Sequence, residues 1–374
     1  MSQLLIITGM NRSGTSLITS IFQQSGLPIG EQLLPAAESN PRGFFEDQAF
    51  MLLHEAMLHV CSVTHLVDRG FAPMPNDAET AQASALISER SAQPLWGRKD
   101  PRTALFLDFW NGLLPDAGYL FIYRNPLDVL LSLMRRNEPY MAGLLEGLEA
   151  WYAYNLRLLR FTAAHPERCI LCSVGGVLAS IERLRDLLAD RTGIQLALTE
   201  EASSALYQPD ELRQAPATLA DIAELAAIHP EAVALYRDLE QRADIAEARN
   251  PAWHDRYALP ATPATAALRR ARLIALCAKL DPATTEGFFA RRSRYQHAPA
   301  SCAGRLCPRK QNGAISTTCV GGTSRGRAIY PIIGSSPCTY RSCTSSRAIA
   351  LIVNQPQSAY RYYRGHLMCD GVNL

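Results

Sequence analysis

The last 84 residues of this 374-residue chain almost lack acidic side chains. They carry 12 of its 37 Lys and Arg but only one of its 35 Asp and Glu, Asp370. The formal net charge of +2 is therefore an average over two unlike pieces, because the first 290 residues hold 25 basic against 34 acidic side chains. Such a balance excludes a strongly basic nucleic-acid binder and an acidic solvating chain. Long apolar runs are missing as well. The opening run Leu4–Ile7 has no basic residue before it and is too short for a signal-peptide core. No segment approaches the roughly 20 apolar residues a membrane span needs. The expectation is a soluble, cytoplasmic protein with no membrane span and no nucleic-acid partner. Metal-ligand patterns are also scarce. His54 and His59 are five residues apart, not the four of a helical zinc pair, and are expected on a helix surface or in packing. Cys169-Ile-Leu-Cys172 has no second pair to complete four ligands and is expected as two buried, reduced strand cysteines. No metal is expected.

What is present is a core-forming chain, 48% hydrophobic. The short apolar runs Leu4–Thr8, one near Gly97, Gly118–Tyr123 and Cys169–Val174 predict buried parallel strands. Helical spacing appears between them over Thr15–Gln24, Phe50–Leu66, Ala78–Ser91, Ala104–Leu113, Leu127–Arg136, Leu144–Ala164 and Ile181–Thr192. Alternating strands and helices predict an α/β fold, a P-loop-type parallel sheet flanked by helices. Residues 201–290 predict a helical extension (Leu219–Ile228, Glu231–Glu247, Ala266–Leu280) that either caps the core or begins another module. The division read from the sequence is a core over 1–200, that extension, and a basic, Cys-rich tail over 291–374. The tail shows no helical or strand periodicity. Its 11 Arg against one Lys, with acidic residues nearly absent, fit translation of a GC-rich message past a frameshift, or a disordered segment. A zinc or disulfide module and a basic nucleic-acid arm are the alternatives.

The chemistry concentrates after the first strand. Gly9-Met-Asn-Arg-Ser-Gly-Thr-Ser16 leads from that strand into a helix. Small residues turn backbone N–H groups inward, and the helix N-terminus adds partial positive charge, a combination that holds phosphate. Gly9 and Gly14 fit the spacing of a nucleoside-triphosphate loop, but Thr15 stands where its lysine belongs. Arg12, inside the loop, supplies a cation from another position.

These residues resemble the phosphosulfate loop of sulfotransferases that use 3′-phosphoadenosine 5′-phosphosulfate (PAPS). Tyr123-Arg-Asn-Pro-Leu-Asp-Val-Leu-Leu-Ser132 resembles that family's 3′-phosphate element, with Arg124 at a strand end and Ser132 eight residues later. Asn40-Pro-Arg-Gly-Phe-Phe-Glu-Asp47 and Gly97-Arg-Lys-Asp-Pro-Arg102 are similar to a bacterial branch related to its carbohydrate and tyrosyl-protein members. The resemblance covers roughly residues 4–190. It implies sulfuryl transfer from PAPS, as co-substrate, to a hydroxyl-bearing acceptor, a carbohydrate or other small molecule, without a metal. It also implies Arg12 at the bridging oxygen and 5′-phosphate, Ser13, Gly14, Thr15 and Ser16 around that phosphate, and Arg124 and Ser132 at the 3′-phosphate. Lys99 falls to the transferring sulfuryl group. Glu46 is the first choice for the base, on the expectation that its aromatic neighbours desolvate it, with Asp47 and Glu31 as runners-up. Asp100 and Arg102 are expected as a structural pair that orients Lys99. Phe44, Phe45, Trp151, Tyr152 and Tyr154 either line an acceptor cleft or pack the core. The rival classes are a P-loop kinase or nucleotide phosphotransferase, against which the missing lysine at Thr15 counts, and a non-catalytic nucleotide-binding protein. Oligomeric state is open.

Overall fold

The computed structural model describes residues 2–37, 40, 42–136, 143–206, 212–247, 253, 264–296 and the strands within 360–373. The chain runs β1 (Gln3–Thr8), α1 (Thr15–Gln24), α2 (Gln48–Val60), α3 (Asp77–Arg90) and β2 (Leu95–Lys99). A 3-10 turn over Pro101–Leu105 leads to α4 (Leu107–Leu113), β3 (Gly118–Tyr123), α5 (Pro126–Arg136), α6 (Leu144–Ala164) and β4 (Cys169–Ser173). Then come α7 (Val174–Ala179), α8 (Ile181–Thr192), α9 (Glu200–Leu206), α10 (Leu219–Ile228), α11 (Pro230–Arg242), α12 (Ala266–Leu280) and α13 (Pro282–Gln296).

The four strands form one parallel sheet in the order β2-β1-β3-β4. Their alternate residues supply two cores. Leu4, Ile6, Trp96, Tyr119, Phe121, Cys169 and Leu171 face one apolar cluster, and Leu5, Ile7, Leu120, Ile122, Ile170 and Cys172 face the other. Helices cover both faces, so the strands read as continuous apolar runs. A fully buried Leu or Ile contributes roughly 1.5–3 kcal/mol, and eight buried ones sit on these strands. Cys169 and Cys172 lie on opposite faces and cannot pair; burial pushes the Cys169 thiol up to about 12.

The helical extension joins the first core. Ile222, Leu225, Tyr236, Leu239, Leu273, Leu276 and Phe288 belong to the same cluster as β3 and α6. Two predicted helices end early. The first, α2, stops at Val60, and the chain turns through Ser62 at φ 56°. The other, α11, stops at Arg242 because the following segment docks on β4, where Ile245 bridges Cys172 and Ser173 donates its N–H to the Ile245 carbonyl at 2.9 Å.

Chain contacts group Met1–Ala290 with Ser358–Leu374, and Arg291–Gln357 separately. The tail differs from its reading as free of strand periodicity: Tyr360–Tyr363, His366–Cys369 and Val372–Asn373 (β5, β6, β7) form an antiparallel ladder. The rest of the tail, with Cys302, Cys307, Cys319, Cys338 and Cys343, lies outside the described residues.

Candidate active site

The loop between β1 and α1 sits where the sheet ends at its carboxyl edge. A Cβ on Gly9 would stand 2.0 Å from the Ile122 carbonyl oxygen, so only glycine lets the loop lie against β3. Gly14 has φ +89°, and a Cβ there would meet Val174 at 2.5 Å. Arg12 holds φ 70°, a left-handed conformation that costs a non-glycine residue about 1 kcal/mol or more and persists where surroundings enforce it. No side chain caps α1 and no acidic residue stands in its first turn, which leaves the helix N-terminus to an anion. Ser13 is buried, and its hydroxyl has no hydrogen-bond partner among the described residues. A buried hydroxyl without a partner and an uncapped helix start fit a bound phosphate group.

The second predicted element meets the first. Arg12 Nε donates to Ser132 Oγ at 3.0 Å. Arg124 Nη1 donates to the Arg12 carbonyl at 3.4 Å, and its Nη2 donates to the Arg213 carbonyl. Trp151, buried in the core, fixes the backbone there by donating Nε1–H to the Arg124 carbonyl at 2.9 Å. Pro126 starts α5, and Asn125 Oδ1 accepts the Asp128 N–H at 2.9 Å. Asp128 lies 3.4 Å from Arg124 Nε. Burial raises the Asp128 pKa despite that cation.

Lys99 ends β2 and ties the two remaining motifs to the loop. Its buried Nζ donates to Ser16 Oγ (3.1 Å), to the Phe44 carbonyl (2.9 Å) and to Glu46 Oε1 (2.8 Å). Phe45 takes φ 56°, the bend just before Glu46. Arg102 Nη1 holds the other Glu46 oxygen at 3.0 Å. Glu46 is thus buried between two cations. The runners-up are engaged elsewhere. Asp47 caps α2 by accepting the Ala49 N–H (3.0 Å) and pairs with Arg90 (3.0 Å), while Glu31 is exposed and also faces Arg90 at 3.4 Å.

Behind Glu46 runs a buried chain that the sequence did not reveal. Asp100 Oδ1 accepts from the Arg102 backbone (2.8 Å) and its guanidinium (3.0 Å), and Asp100 Oδ2 meets His54 Nδ1 at 2.9 Å. Trp110 Nε1–H donates to His54 Nε2 at 2.8 Å. Burial pulls against it, yet the charges of Arg102 and the bond to His54 hold the Asp100 carboxyl well below the usual range. His54 is fully buried, not on the helix surface. The only sequence signal was the Asp100-Pro-Arg102 turn, read as orienting Lys99. Of the two readings open for Trp151 and Tyr154, core packing holds: both are buried, and Tyr154 donates its OH to the His65 carbonyl at 2.9 Å. Phe44, Phe45 and Tyr152 are half-buried.

A parallel sheet whose first strand runs into a glycine-bearing loop and a helix N-terminus, with cations delivered from the neighbouring strands, is an α/β fold of the phosphate-loop type. Residues 5–172 match the family model described as the sulfotransferase family. No curated protein matches the chain. Among solved structures, it is similar to the sulfotransferase domain from the Synechococcus PCC 7002 olefin synthase, with 17% identity over 75% of this chain and 94% of that one (TM-score 0.36). It is also similar to the sulfotransferase domain from the curacin biosynthetic pathway, at 17% over 58% and 81% (TM-score 0.35). Sulfotransferase STF1 from Mycobacterium tuberculosis H37Rv is 16% identical over 55% and 71% (TM-score 0.32). No helix among the described residues is long and apolar enough to cross a membrane.

Proposed function

We propose that the chain transfers a sulfuryl group from PAPS to a hydroxyl of a carbohydrate or other small molecule, in the cytoplasm. The observation that carries this reading is the convergence of Lys99 on Ser16, in the first turn of α1, and on the Glu46 carboxylate. A cation beside a carboxylate, next to a glycine-bearing loop that has Thr15 in place of a lysine, supports this reading. The four cysteines of the described core are free thiols, which suits a reducing compartment.

In this reading Arg12, Ser13, Gly14, Thr15 and Ser16 hold the 5′-phosphate, and Arg124 with Ser132 the 3′-phosphate. The acceptor oxygen attacks sulfur while its proton passes to Glu46. The bond from sulfur to the bridging oxygen breaks, and the electron pair leaves on adenosine 3′,5′-bisphosphate. Arg12 and the loop N–H groups stabilise that developing charge, and Lys99 stabilises the equatorial sulfuryl oxygens. Positioning and electrostatics suffice for such a reaction in principle, as they do for phosphoryl transfer.

Titration calorimetry on the full chain, with adenosine 3′,5′-bisphosphate against ATP–Mg²⁺, tests the donor. Preference for the bisphosphate is expected. Preference for ATP–Mg²⁺ would overturn the reading in favour of a phosphotransferase.

A further inference from the structure

We propose that His54 is a positioning residue for the Lys99–Glu46 pair, locked by Trp110 as the neutral Nδ1–H tautomer. The proposal deepens the sulfotransferase reading and rests on it. The indole N–H can only donate, so His54 Nε2, 2.8 Å away, must present a lone pair. The ring proton is then on Nδ1, which donates to Asp100 Oδ2 at 2.9 Å. A second ring proton would set one N–H against another with no water to separate them.

The ring is fully buried, stacked on Phe106 (centroids 5.3 Å apart, 18° between planes) and edge-on to Trp110 (5.5 Å, 80°). The charged groups facing it are Asp100, which favours an imidazolium, and Arg98 and Arg102, which oppose it. Burial is the largest influence and lowers the His54 pKa below its ordinary value despite Asp100.

Asp100 transmits the constraint. One of its oxygens is held by His54, which leaves the other for Arg102, and Arg102 holds Glu46 Oε2 while Lys99 holds Glu46 Oε1. Without the Nδ1–H donor, a buried carboxylate oxygen would lose its partner, and Asp100 would turn to find another. Arg102, Glu46 and Lys99 would shift with it. The chain from Trp110 to Lys99 thus runs from the core to the loop, and a neutral, single-tautomer histidine keeps it unchanged across physiological pH.

Nitrogen-15 spectra of the histidine rings in the full-length protein, from pH 5 to 9, read the tautomer directly. The expected result is a His54 ring protonated at Nδ1 alone with no titration in that range. A ring protonated at Nε2, or one that titrates near its ordinary value, overturns the proposal. Turnover is read as release of adenosine 3′,5′-bisphosphate from PAPS with water as acceptor. His54→Phe keeps the ring and its stacking but not the donor, and should lose at least about tenfold in kcat, in the range for a misplaced catalytic group. Its affinity for the bisphosphate should stay within about threefold, a spread below one tenfold step of binding energy. His54→Asn, which restores a donor near Nδ1, should recover most of the loss. Trp110→Phe frees Nε2 to take a proton, so in its nitrogen-15 spectra the His54 ring should titrate between pH 5 and 9 where the wild-type ring does not. Wild-type turnover in His54→Phe, or equal loss in His54→Asn and His54→Phe, would overturn the positioning role. If the wild type neither binds the bisphosphate nor desulfates PAPS, the sulfotransferase reading fails, and the ring spectra still decide the tautomer.

Discussion

Arg124 should discriminate the 3′-phosphate from the rest of the donor. The variant is Arg124→Met, which keeps the aliphatic stem and removes the guanidinium. That guanidinium is 4% exposed and already oriented by Asp128 and by the Arg12 and Arg213 carbonyls, so little ordering remains to be done on binding. A hydrogen bond to a charged group contributes about 1.5–3 kcal/mol. Affinity for adenosine 3′,5′-bisphosphate should therefore weaken by about 10- to 150-fold. For adenosine 5′-phosphate, which lacks the 3′ group, the same substitution should cost no more than about threefold, a few tenths of one tenfold step. Asp128 is the side effect to control, since removal of its cation leaves a buried carboxyl. It keeps Asn125 and the Ala215 N–H as donors, and its raised pKa rises further so that it takes a proton. That penalty is common to both ligands and cancels in the two-by-two cycle. Calorimetry on both proteins with both nucleotides gives the coupling. Equal losses for the two ligands, a coupling near zero, would refute contact between Arg124 and the 3′-phosphate.

Glu46→Gln should lower turnover about 10²- to 10⁴-fold, the usual worth of a general base, with bisphosphate affinity nearly unchanged; turnover close to wild type would remove Glu46 from the mechanism. Arg98 is a buried cation lying 3.9 Å over the Trp110 ring, with Nε and Nη2 unpartnered among the described residues and its pKa pushed down to about 10 by burial. Arg98→Met should accordingly be neutral or stabilising by about 1–2 kcal/mol in urea unfolding, and a loss above about 3 kcal/mol would contradict that reasoning. Hydrogen bonds from His229 and Arg69, outweighing partial burial, hold the Glu149 carboxyl at about 2, below its ordinary 4.5. A depressed carboxyl stabilises the fold above its unfolded pKa and ceases to as pH falls through the folded one. After solvent screening the effect is about 1 kcal/mol. Glu149→Gln should thus flatten the stability loss between pH 4.5 and 2, and an unchanged slope would discount the pairing.

The sheet was legible because strands buried on both faces leave unbroken apolar runs, and β1, β3 and β4 appear within a residue of where the sequence put them. Arg12, Ser132 and Arg124 were legible as spacings and do meet. Helix ends set by tertiary contact were not: nothing in Glu231–Glu247 announces that Ile245 will bridge β4. His54 was invisible for the same reason. Its meaning depends on Asp100, 46 residues away, and on Trp110, 56 away, and on a helix it reads like any other half-polar position. Trp151 stayed open between cleft and core because a tryptophan near a site suits either, and its burial and its hydrogen bond to the Arg124 carbonyl decide for the core.

The order of the strands explains how cations reach this loop, which has Thr15 where a nucleoside-triphosphate loop has its lysine. In the order β2-β1-β3, the strand that feeds the loop has a neighbour on each side. All run parallel, so all three end at the same edge, with Ile7 paired to Lys99 on one side and Thr8 to Phe121 on the other. Lys99 is the last residue of β2, and Arg124 is the first residue after β3. The loop from β1 therefore receives one cation from each flank, and Arg12 adds a third from within. A lysine at Thr15 would crowd a position that is already buried against Gly9. Lys99 reaches Ser16, the next residue, from outside the loop instead. Because Lys99 comes from β2, it arrives already bound to Glu46, so the arrangement that replaces the loop lysine also brings the carboxylate to the site. An antiparallel partner on one side would have delivered its end to the opposite edge and left the loop with Arg12 and a single flanking cation.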